Sequence, residues 1–493
     1  MFDPDLLDTM PTDATPTPEP SPPTRTHHEA ASAELGAGYL LCIEDGSSHT
    51  VPLPGDGELT LGRDPECTIR LADAQVSRRH AVITAVADGV RVTDLDSRHG
   101  TFVNGERVAR PRRLLSGDVI TLGGAVLVVL VIFGLMVSGV CWGVFGGVKF
   151  WGDWINNLIG LGPALGIPGD LEGFLSHRMS LMNILLVLGA FTAALLSRQF
   201  SPNRPPRLEY VWAAFGGAMM GIGAALAGGC TTGGFFNPVL HSSPAGWAMW
   251  AGLMLGAALG VKLLLWTLEN IEWGMEPPPS ISVSPAVRKA FPFAGLVVVI
   301  GVLLWATRWY GSGNEQLAAR AIIVLAGFAI GFIMHRSRLC FARSFREPFV
   351  TGEGEMTKAV ILALAIGIPI AALLFQKKVI DPYVAIPPTF WVGSLLGGFL
   401  FGIGMVFAGG CASGGLWRMG EGHFKLWVAM LFFAWIGSVA SALFKRFNIT
   451  AIDETNVETY EMTNVGFQAF LPEMIGGWGL TMLLGGGLLL LWY

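Results

Sequence analysis

The stretch AGGCTTGGFFNP, residues 227–238, recurs in altered form as AGGCASGGLWR at residues 408–418. Each copy follows an apolar run rich in glycine, GAMMGIGAAL before the first and GFLFGIGMVF before the second. The glycine pairs and the two cysteines, Cys230 and Cys411, match at one constant offset, which indicates two copies of one unit. A glycine-flanked thiol repeated in two apolar halves predicts a polar site at the interface between them.

The composition places most of the chain in a bilayer. Of the 493 residues, 52% are hydrophobic and 14% are charged, whereas soluble domains carry roughly a quarter charged residues. The net charge of −5 argues against a nucleic-acid partner. Residues 1–35 are acidic and rich in proline and threonine, without the basic start and apolar core of a signal peptide, so we expect a disordered tail.

Ten apolar stretches approach the roughly 20 residues that a helix needs to cross a bilayer. They cover approximately residues 126–148, 179–197, 210–229, 244–268, 291–308, 317–334, 357–376, 390–410, 425–444 and 472–492. The two stretches that end in glycine-cysteine loops contain too many glycines for simple spans, and non-helical backbone at membrane depth must be buried in protein. We therefore predict an all-α polytopic membrane domain over residues 126–493, with re-entrant Gly-Gly-Cys loops and two inverted repeats of about 126–290 and 291–493.

Basic residues predict the orientation of the spans. One cluster follows the second apolar stretch (Arg198, Arg204, Arg207) and another follows the sixth (Arg336, Arg338, Arg343, Arg346). Arginine-rich loops stay in the cytoplasm, so we expect both loops on the inner side of a bacterial inner membrane. HRMSLMN at 177–183 also matches the start of HRSRLCFARS at 335–344, which pairs Met182 with Cys340 and suggests that the halves are inverted.

Residues 36–125 have the pattern of an all-β sandwich, with short alternating strands between glycine, aspartate and asparagine turns. Asn104-Gly105 predicts a hairpin, because a type I′ turn requires positive φ at both central residues. The loops carry Gly62-Arg63, then the run Ser77-Arg78-Arg79-His80, and then Ser97-Arg98-His99-Gly100-Thr101. Arginine and serine side chains on adjoining loops are charge-assisted and hydroxyl donors of the kind that a phosphate dianion requires.

These loops resemble the forkhead-associated (FHA) domain, a phosphothreonine-binding sandwich. The resemblance implies that Arg63 and Ser77 hold the phosphate, that Arg78, Arg98 and His99 line the peptide, and that His80 braces its loop. FHA domains often have asparagine where this chain has His99. The expected partner is a phosphothreonine-containing protein or the chain's own tail, in which four threonines stand among acidic residues and prolines (Thr9, Thr12, Thr15, Thr17). The alternative is a sandwich that has lost phosphopeptide binding.

The glycine loops also predict the kind of solute. Backbone N–H groups at helix ends favour an anion, and three cysteines (Cys230, Cys340, Cys411) suggest a cargo that contains polarisable sulfur, held weakly enough to leave again. Three hydroxyl residues in the loops either donate to the anion or bond backbone carbonyls (Thr231, Thr232, Ser413). Arg343 is a candidate for drawing the anion inward.

Over residues 130–493 the motifs AGGCTTGG, HRSRLCFARSFREP and AGGCASGGLWR resemble the YeeE/YedE sulfur transport family of bacterial inner-membrane proteins. The resemblance implies thiosulfate uptake, with Cys230 and Cys411 as central thiols and Cys340 nearer the cytoplasmic exit. It implies no cofactor and no enzymatic activity. A cytoplasmic sulfurtransferase is a candidate partner that would receive the cargo.

Two other functions remain open from the sequence. The first is a membrane sulfur-transfer enzyme that forms persulfides on Cys230 and Cys411, although only His241 and His423 lie a few residues from those loops. The second is a phospho-signalling scaffold or sensor. Asp153, Asp170 and Glu172 are expected in the outer loop, and no carboxylate is expected within a clear span, which favours channel-like passage.

Overall fold

The computed structural model describes part of the FHA-like region and most of the membrane region. The described residues are 39–44, 47–52, 57–71, 76–86, 89–97, 101–103, 106–107, 112–114, 120–122, 142–270, 284–350, 355–378, 381, 383, 386–452 and 461–492. The predicted tail, Arg98, His99 and most of the first predicted span fall outside these ranges.

The N-terminal region is built from short strands. They are β1 Tyr39–Glu44, β2 Ser47–Pro52, β3 Gly57–Gly62, β4 Ile69–Arg70, β5 Ala81–Val86, β6 Gly89–Asp94, β7 Thr101–Val103, β8 Glu106–Arg107, β9 Arg112–Leu114 and β10 Ile120–Leu122. A five-stranded sheet has the order β4-β3-β5-β6-β9, a three-stranded sheet the order β10-β7-β8, and β1 pairs with β2. The antiparallel pair Phe102↔Arg107 confirms a hairpin around Asn104-Gly105, which themselves are outside the described residues.

The membrane region is helical. Its helices are α1 Val144–Leu158, α2 Gly162–Leu165, α3 Arg178–Leu196, α4 Arg207–Ala227, a π-helix Thr231–Phe236, α5 Asn237–Leu240, α6 Pro244–Asn270, α7 Pro285–Tyr310, α8 Glu315–Ser337, α9 Phe341–Val350, α10 Glu355–Gln376, α11 Val392–Ala408, α12 Ala412–Glu421, α13 Phe424–Arg446, α14 Leu471–Met474 and α15 Trp478–Trp492. The strands β11 Met462–Thr463 and β12 Gly466–Phe467 form a small hairpin.

Among the described residues, eight apolar helical segments are long enough to cross a membrane, and they coincide with eight of the ten stretches predicted from the sequence. The last predicted stretch contains a shorter helix of 15 residues, α15. Most of the first stretch falls outside the described ranges, so the polytopic helical fold is confirmed through the other spans.

Helices α4 and α11, which precede the two glycine-cysteine loops, pack closely and antiparallel. A Cβ on Gly216 would lie 2.4 Å from the backbone nitrogen of Ala408, and one on Gly223 would lie 2.6 Å from the carbonyl oxygen of Gly397. Helix α4 also packs on α13, and α11 packs in the same way on α6. Exchanging the two copies reproduces the packing with the chain direction reversed, which is an inverted repeat.

Helices α3 and α8 form a second closely packed pair, which runs parallel, since Gly327 lies against Met182 and Gly331 lies against Leu186. A Cβ on Gly331 would lie 1.9 Å from the carbonyl oxygen of Leu186.

We expect Gly331→Val to lower the free energy of unfolding by about 3 kcal/mol or more, because the backbones of the two helices must separate. Thermal unfolding of the detergent-purified protein measures this effect. Gly301→Val on α7 is the control, since nothing lies within 4 Å of its Cβ position; equal melting temperatures for the two variants would contradict this packing.

Two local predictions from the sequence are wrong. His177 stands at the N-terminal cap of α3, whereas His335 lies in the last turn of α8, so the matched motifs occupy opposite helix ends. Met182 consequently lies inside α3, while Cys340 stands in the connection between α8 and α9. Asp153 lies in α1 and is buried, rather than in an outer loop.

Candidate functional site: a buried thiol pair beside helix N-termini

Cys230 and Cys411 each stand immediately before a short helix. Cys230 precedes the π-helix and Cys411 precedes α12, and both side chains are fully buried. The long helices before them end at Gly228 and Gly409, whose φ values of +71° and +80° suit glycine. The glycine pair therefore reverses the chain and places each thiol at the positive end of a new helix.

The structure brings Cys340 and Cys411 together, although 71 residues separate them. Their sulfur atoms lie 3.9 Å apart, and both side chains are buried. The N–H of Gly414 donates to Cys411 Sγ at 3.3 Å, and Ser413 Oγ lies 3.5 Å from the same sulfur. The Ser413 hydroxyl thus contacts the thiol, which is neither of the two roles predicted for it from the sequence.

Cys230 belongs to a separate part of the same interior. The phenyl ring of Phe236, on the π-helix that follows Cys230, lies 5.4 Å from the ring of Phe341, which directly follows Cys340. The π-helix also contacts α12. The loops themselves cap opposite ends of the α4–α11 pair, and the short helices after them meet.

Thr231 and Thr232 are the polar groups of the first loop that the protein leaves unsatisfied. Both hydroxyl oxygens are buried, and neither has a hydrogen-bond partner among the described residues. A buried hydroxyl without a partner costs about 1–3 kcal/mol. The two hydroxyl groups are therefore suited to binding a polar ligand in the loop. The hydrogen bonds to backbone carbonyls that the sequence left open for these threonines are not observed among the described residues.

Three cationic side chains lie on the helices that follow the two thiols, and we call Arg346, Arg418 and Lys425 the basic cluster. Arg418 is 1% exposed, and its guanidinium donates to the Gly409 carbonyl oxygen at 2.9 Å. Arg418 and Arg346 lie close enough to Cys340, and to Lys425, for their charges to interact. The sequence reasoning did not select these residues. The sequence did contain a signal for Arg418, because an arginine two turns beyond the loop and inside an apolar span usually has a function.

The predicted residue Arg343 lies on the same helix as Arg346 but is paired. Its side chain forms an ion pair with Glu347, four residues further along α9. This spacing places the two side chains on one helix face. The pairing offsets the charge of Arg343, so Arg346 and Arg418 are the stronger candidates for attracting an anion.

A buried ion pair holds Cys340 in place. Both carboxylate oxygens of Glu421 accept from Arg338 Nη1 at 2.8 Å, and His335 Nε2 and His423 Nε2 lie 3.4 and 3.5 Å from the same carboxylate. Trp417 Nε1 donates to the Leu339 carbonyl oxygen at 2.8 Å. Helix α12 thus carries Cys411 at its start and fixes the segment before Cys340 through its later turns.

We expect Glu421→Gln to destabilise the protein by about 3–5 kcal/mol, because the substitution leaves the Arg338 charge buried without its carboxylate. Helix α12 would then hold the segment before Cys340 less firmly. Thermal unfolding in detergent is the measurement. Glu269→Gln, on the exposed last turn of α6, is the control and should have little effect. An equal, small shift for both variants would show that the buried pair does not stabilise the fold.

A cavity of about 1160 Å³ leads to the first loop from outside the helix pair. Its lining includes Gly228 and three basic residues, Lys149, Lys445 and Arg446. Lys149 forms an ion pair with Asp153 at 2.9 Å. The lining also contains Asp153 and Glu461, so the cavity that reaches Gly228 carries both basic and acidic side chains.

In the N-terminal region the structure brings together the loops of Arg63 and Ser77. The Arg63 N–H donates to the Ser77 carbonyl oxygen at 3.0 Å, and the Asp64 N–H donates to the Arg78 carbonyl oxygen at 2.9 Å. The side chains of Arg63 and Arg78 are exposed. His80 is buried, and its Nδ1 accepts from the Ser77 N–H at 3.0 Å, as expected for a residue that braces the loop.

Asp94 forms hydrogen bonds with Ser97 and Thr101; Arg98 and His99, between them in the sequence, are outside the described residues. Burial raises the pKa of Asp94, but hydrogen bonds from the Thr101 and Ser97 hydroxyls, at 2.5 and 2.7 Å, outweigh it and lower the pKa below its usual value. A lowered carboxyl pKa stabilises the fold at neutral pH, and that stability is lost as the pH falls through the lowered pKa.

Comparison with known proteins agrees with this architecture. The profile of a family described as "Sulphur transport" matches residues 104–259 and 336–492, more than half of the chain. The chain belongs to the sulphur transport family. The FHA domain profile matches residues 59–123.

Individual relatives cover different parts of the chain. The "Probable transporter YedE" of Escherichia coli (strain K12) is 29% identical over 312 residues, which are 61% of this chain and 73% of the relative. The "Thiosulfate transporter TsuA" of Spirochaeta thermophila is 37% identical over 24% of this chain and 35% of its own length. A solved FHA domain, from work on phosphothreonine-dependent FHA domain interactions, is 40% identical to this chain. The match covers 17% of this chain and 84% of the solved chain, with a TM-score of 0.16.

Proposed function

We propose that the membrane region takes up thiosulfate, or a related sulfur-containing anion, through the interior that contains Cys230, Cys411 and Cys340. The carrying observation is that two copies of one glycine-cysteine loop each place a buried thiol at a helix N-terminus. The similarity of part of this chain to a relative named as a thiosulfate transporter supports this choice of cargo.

The route begins at the cavity of about 1160 Å³. Lys445 and Arg446 attract the anion electrostatically, and the cavity reaches Gly228 at the first loop. There the buried hydroxyls of Thr231 and Thr232 replace the hydrogen bonds that the anion gives up on leaving water.

The next station is the thiol pair. An S–H group is a weak donor, so Cys411 and Cys340, 3.9 Å apart, contact the terminal sulfur of the anion without trapping it. Weak and multiple contacts permit both entry and departure. Ser413 supplies a hydroxyl beside the same sulfur atoms.

The membrane protein is proposed to lie in a bacterial inner membrane with the FHA domain in the cytoplasm. The basic residues Arg198, Arg204 and Arg207 lie at the end of α3 and the start of α4, which the positive-inside rule places on the cytoplasmic side. A cytoplasmic sulfurtransferase that consumes the cargo would keep the net flow inward.

The FHA domain is proposed to bind a phosphothreonine, either in a partner or in the chain's own tail, and so to control uptake or recruit a protein. Arg63 and Ser77 hold the phosphate, and Arg78, Arg98 and His99 contact the peptide. The hydrogen bonds that join the Arg63 and Ser77 loops support this assignment, because they present both side chains at one edge of the sheet.

Uptake of ³⁵S-thiosulfate into liposomes that contain the purified full chain tests the proposal. Saturable uptake above that of empty liposomes supports it. If folded protein takes up another sulfur anion, such as sulfite, but no thiosulfate, the proposed cargo changes to that anion. If it takes up no sulfur anion at all, the proposed transport function is wrong.

The close thiol pair also favours one alternative, a sulfur-transfer enzyme. A thiolate of Cys340 or Cys411 would attack the terminal sulfur of thiosulfate, form a persulfide and release sulfite, which leaves with the electrons of the S–S bond. Thiosulfate labelled separately on its two sulfur atoms distinguishes the functions. Both labels arriving together inside the liposomes indicate transport, whereas sulfite outside and a labelled cysteine indicate the enzyme.

A further inference from the structure

Asp153 is a carboxylate inside a helix of the membrane region, and it lies on the wall of the cavity that reaches Gly228. Its side chain is only 12% exposed. A charged side chain inside a membrane protein is costly and usually has a function. The proposed route gives Asp153 no task, although the route begins in the same cavity.

The contacts of Asp153 suit its ionised form. Lys149 Nζ, one turn earlier on α1, lies 2.9 Å from Oδ2 and 3.2 Å from Oδ1 of Asp153. The Ser438 hydroxyl on α13 donates to Asp153 Oδ1 at 2.5 Å, and Asn156 Nδ2 donates in turn to the Ser438 oxygen at 2.9 Å. Among these partners Lys149 alone is charged, so it offsets the charge of Asp153.

Lys149 is placed to change its partner. It lines the same cavity as Asp153, and its side chain is 36% exposed, so the ammonium group can turn towards an anion that enters. That exchange leaves Asp153 buried without its opposite charge, which is unfavourable. A buried carboxylate avoids this cost by binding a proton and becoming neutral. Binding of the anion and protonation of Asp153 are then linked.

We propose that Lys149 and Asp153 form a charge-exchange pair. An anion that binds in the cavity takes Lys149 as its partner, and Asp153 takes up a proton from the solution that fills the cavity. The proton returns to that solution when the anion moves on and Lys149 pairs with the carboxylate again. Ser438 stays bonded throughout, because a hydroxyl can donate to a carboxylate and accept from a protonated acid.

This inference rests on the proposed function, and it adds a direction to the pH dependence of anion binding. Acid protonates Asp153 and frees Lys149, so the anion should bind more tightly in mildly acidic solution. The mixed charge of the cavity wall is then a means of regulating the entry of the anion.

Other charged groups around the cavity have to be separated from Asp153. On its wall are Glu461, Lys445 and Arg446. The segment before α3 also touches α1: the His177 ring stacks on Phe150 with ring centres 4.1 Å apart, and the Glu172 carbonyl oxygen accepts from Trp154 Nε1 at 3.2 Å. Lysine and arginine keep their charge in mildly acidic solution, so the control variants concern His177, Glu172 and Glu461.

The test is equilibrium binding of ³⁵S-thiosulfate to the detergent-purified full chain between about pH 7.5 and about pH 5.5. An indicator dye in weak buffer reports the protons taken up. The wild type should take up as much as about one proton for each bound anion and bind about tenfold more tightly at the lower pH. Asp153→Asn has no carboxylate to protonate, so its affinity should not change with pH and its proton uptake should be lost.

A second variant tests the pair without removing either charge. Ser438→Ala deprives the ionised carboxylate of a hydrogen bond, so proton uptake should begin at a higher pH than in wild type. His177→Asn, Glu172→Gln and Glu461→Gln should keep the wild-type pH dependence. Asparagine at position 177 retains an oxygen that can cap α3.

Equal pH dependence in wild type and Asp153→Asn would overturn the charge exchange, as would an unchanged pH of proton uptake in Ser438→Ala. Loss of the pH dependence in a control variant would assign the proton to that residue and also overturn it. Uptake of ³⁵S-thiosulfate by liposomes decides the transport function separately. Uptake without proton-linked binding removes the exchange alone, proton-linked binding without uptake removes the transport function alone, and folded protein that shows neither removes both.

Discussion

Cys411→Ala should reduce thiosulfate uptake by the reconstituted protein roughly 10- to 100-fold, the loss expected when one hydrogen bond to a charged group disappears from a dry passage. The Cys411 sulfur contacts groups of three other residues. Its sulfur lies 3.9 Å from Cys340 Sγ, 3.5 Å from Ser413 Oγ and 3.3 Å from the Gly414 nitrogen. Alanine removes this sulfur atom, so the anion would meet no thiol at the start of α12.

A serine at the same position separates the two properties of the thiol. Cys411→Ser keeps a hydrogen-bond donor but loses the polarisable sulfur, so we expect an uptake rate between those of wild type and alanine. Cys67→Ala is the matched control, because Cys67 is also a buried free cysteine but lies in the FHA domain. Wild-type uptake by Cys411→Ala, in protein with an unchanged melting temperature, would exclude this thiol from the passage.

The sequence predicted the glycine-cysteine loops because their structure depends on local chemistry. Gly228 and Gly409 adopt positive φ, a conformation that glycine reaches without strain. A repeated Gly-Gly-Cys after an apolar run therefore indicates a helix end and a reversal without any knowledge of the partners. The match between the predicted and observed spans has the same origin, since length and hydropathy are local properties.

The sequence could not predict which thiols meet. The Cys340–Cys411 contact depends on Arg338 binding Glu421, a pairing across 83 residues that only the packed fold creates. The comparison of HRMSLMN with HRSRLCF failed for a related reason. A short basic motif occurs at either end of an apolar helix, so similarity alone does not say whether His177 and His335 occupy equivalent positions.

The pairing of Arg343 was within reach of the sequence. Glu347 stands four residues after Arg343, a spacing that predicts a contact on one helix face. Three and four residues after Arg346 stand Phe349 and Val350, neither of which is a carboxylate that could pair with it. Helical spacing thus separates a paired arginine from an available one, whereas its proximity to Arg418 requires the tertiary structure.

Arg63→Ala should weaken phosphothreonine-peptide binding by the full chain by about 100-fold or more, since a guanidinium–phosphate contact combines charge with paired hydrogen bonds. The Arg63 side chain is exposed, so its removal leaves no cavity. Its backbone N–H still donates to the Ser77 carbonyl oxygen at 3.0 Å, and the joined loops should therefore persist in the variant. Fluorescence anisotropy of a labelled phosphopeptide is the measurement.

The control for this loss is Arg91→Ala, an exposed arginine within strand β6 and outside the phosphate loops. It removes the same charge from the same domain, so any general electrostatic attraction of the peptide falls equally in both variants. A loss confined to Arg63→Ala, together with no binding of the unphosphorylated peptide by wild type, assigns the phosphate to this residue. Equal binding by Arg63→Ala and wild type would instead indicate a sandwich that has kept the FHA fold without its ligand.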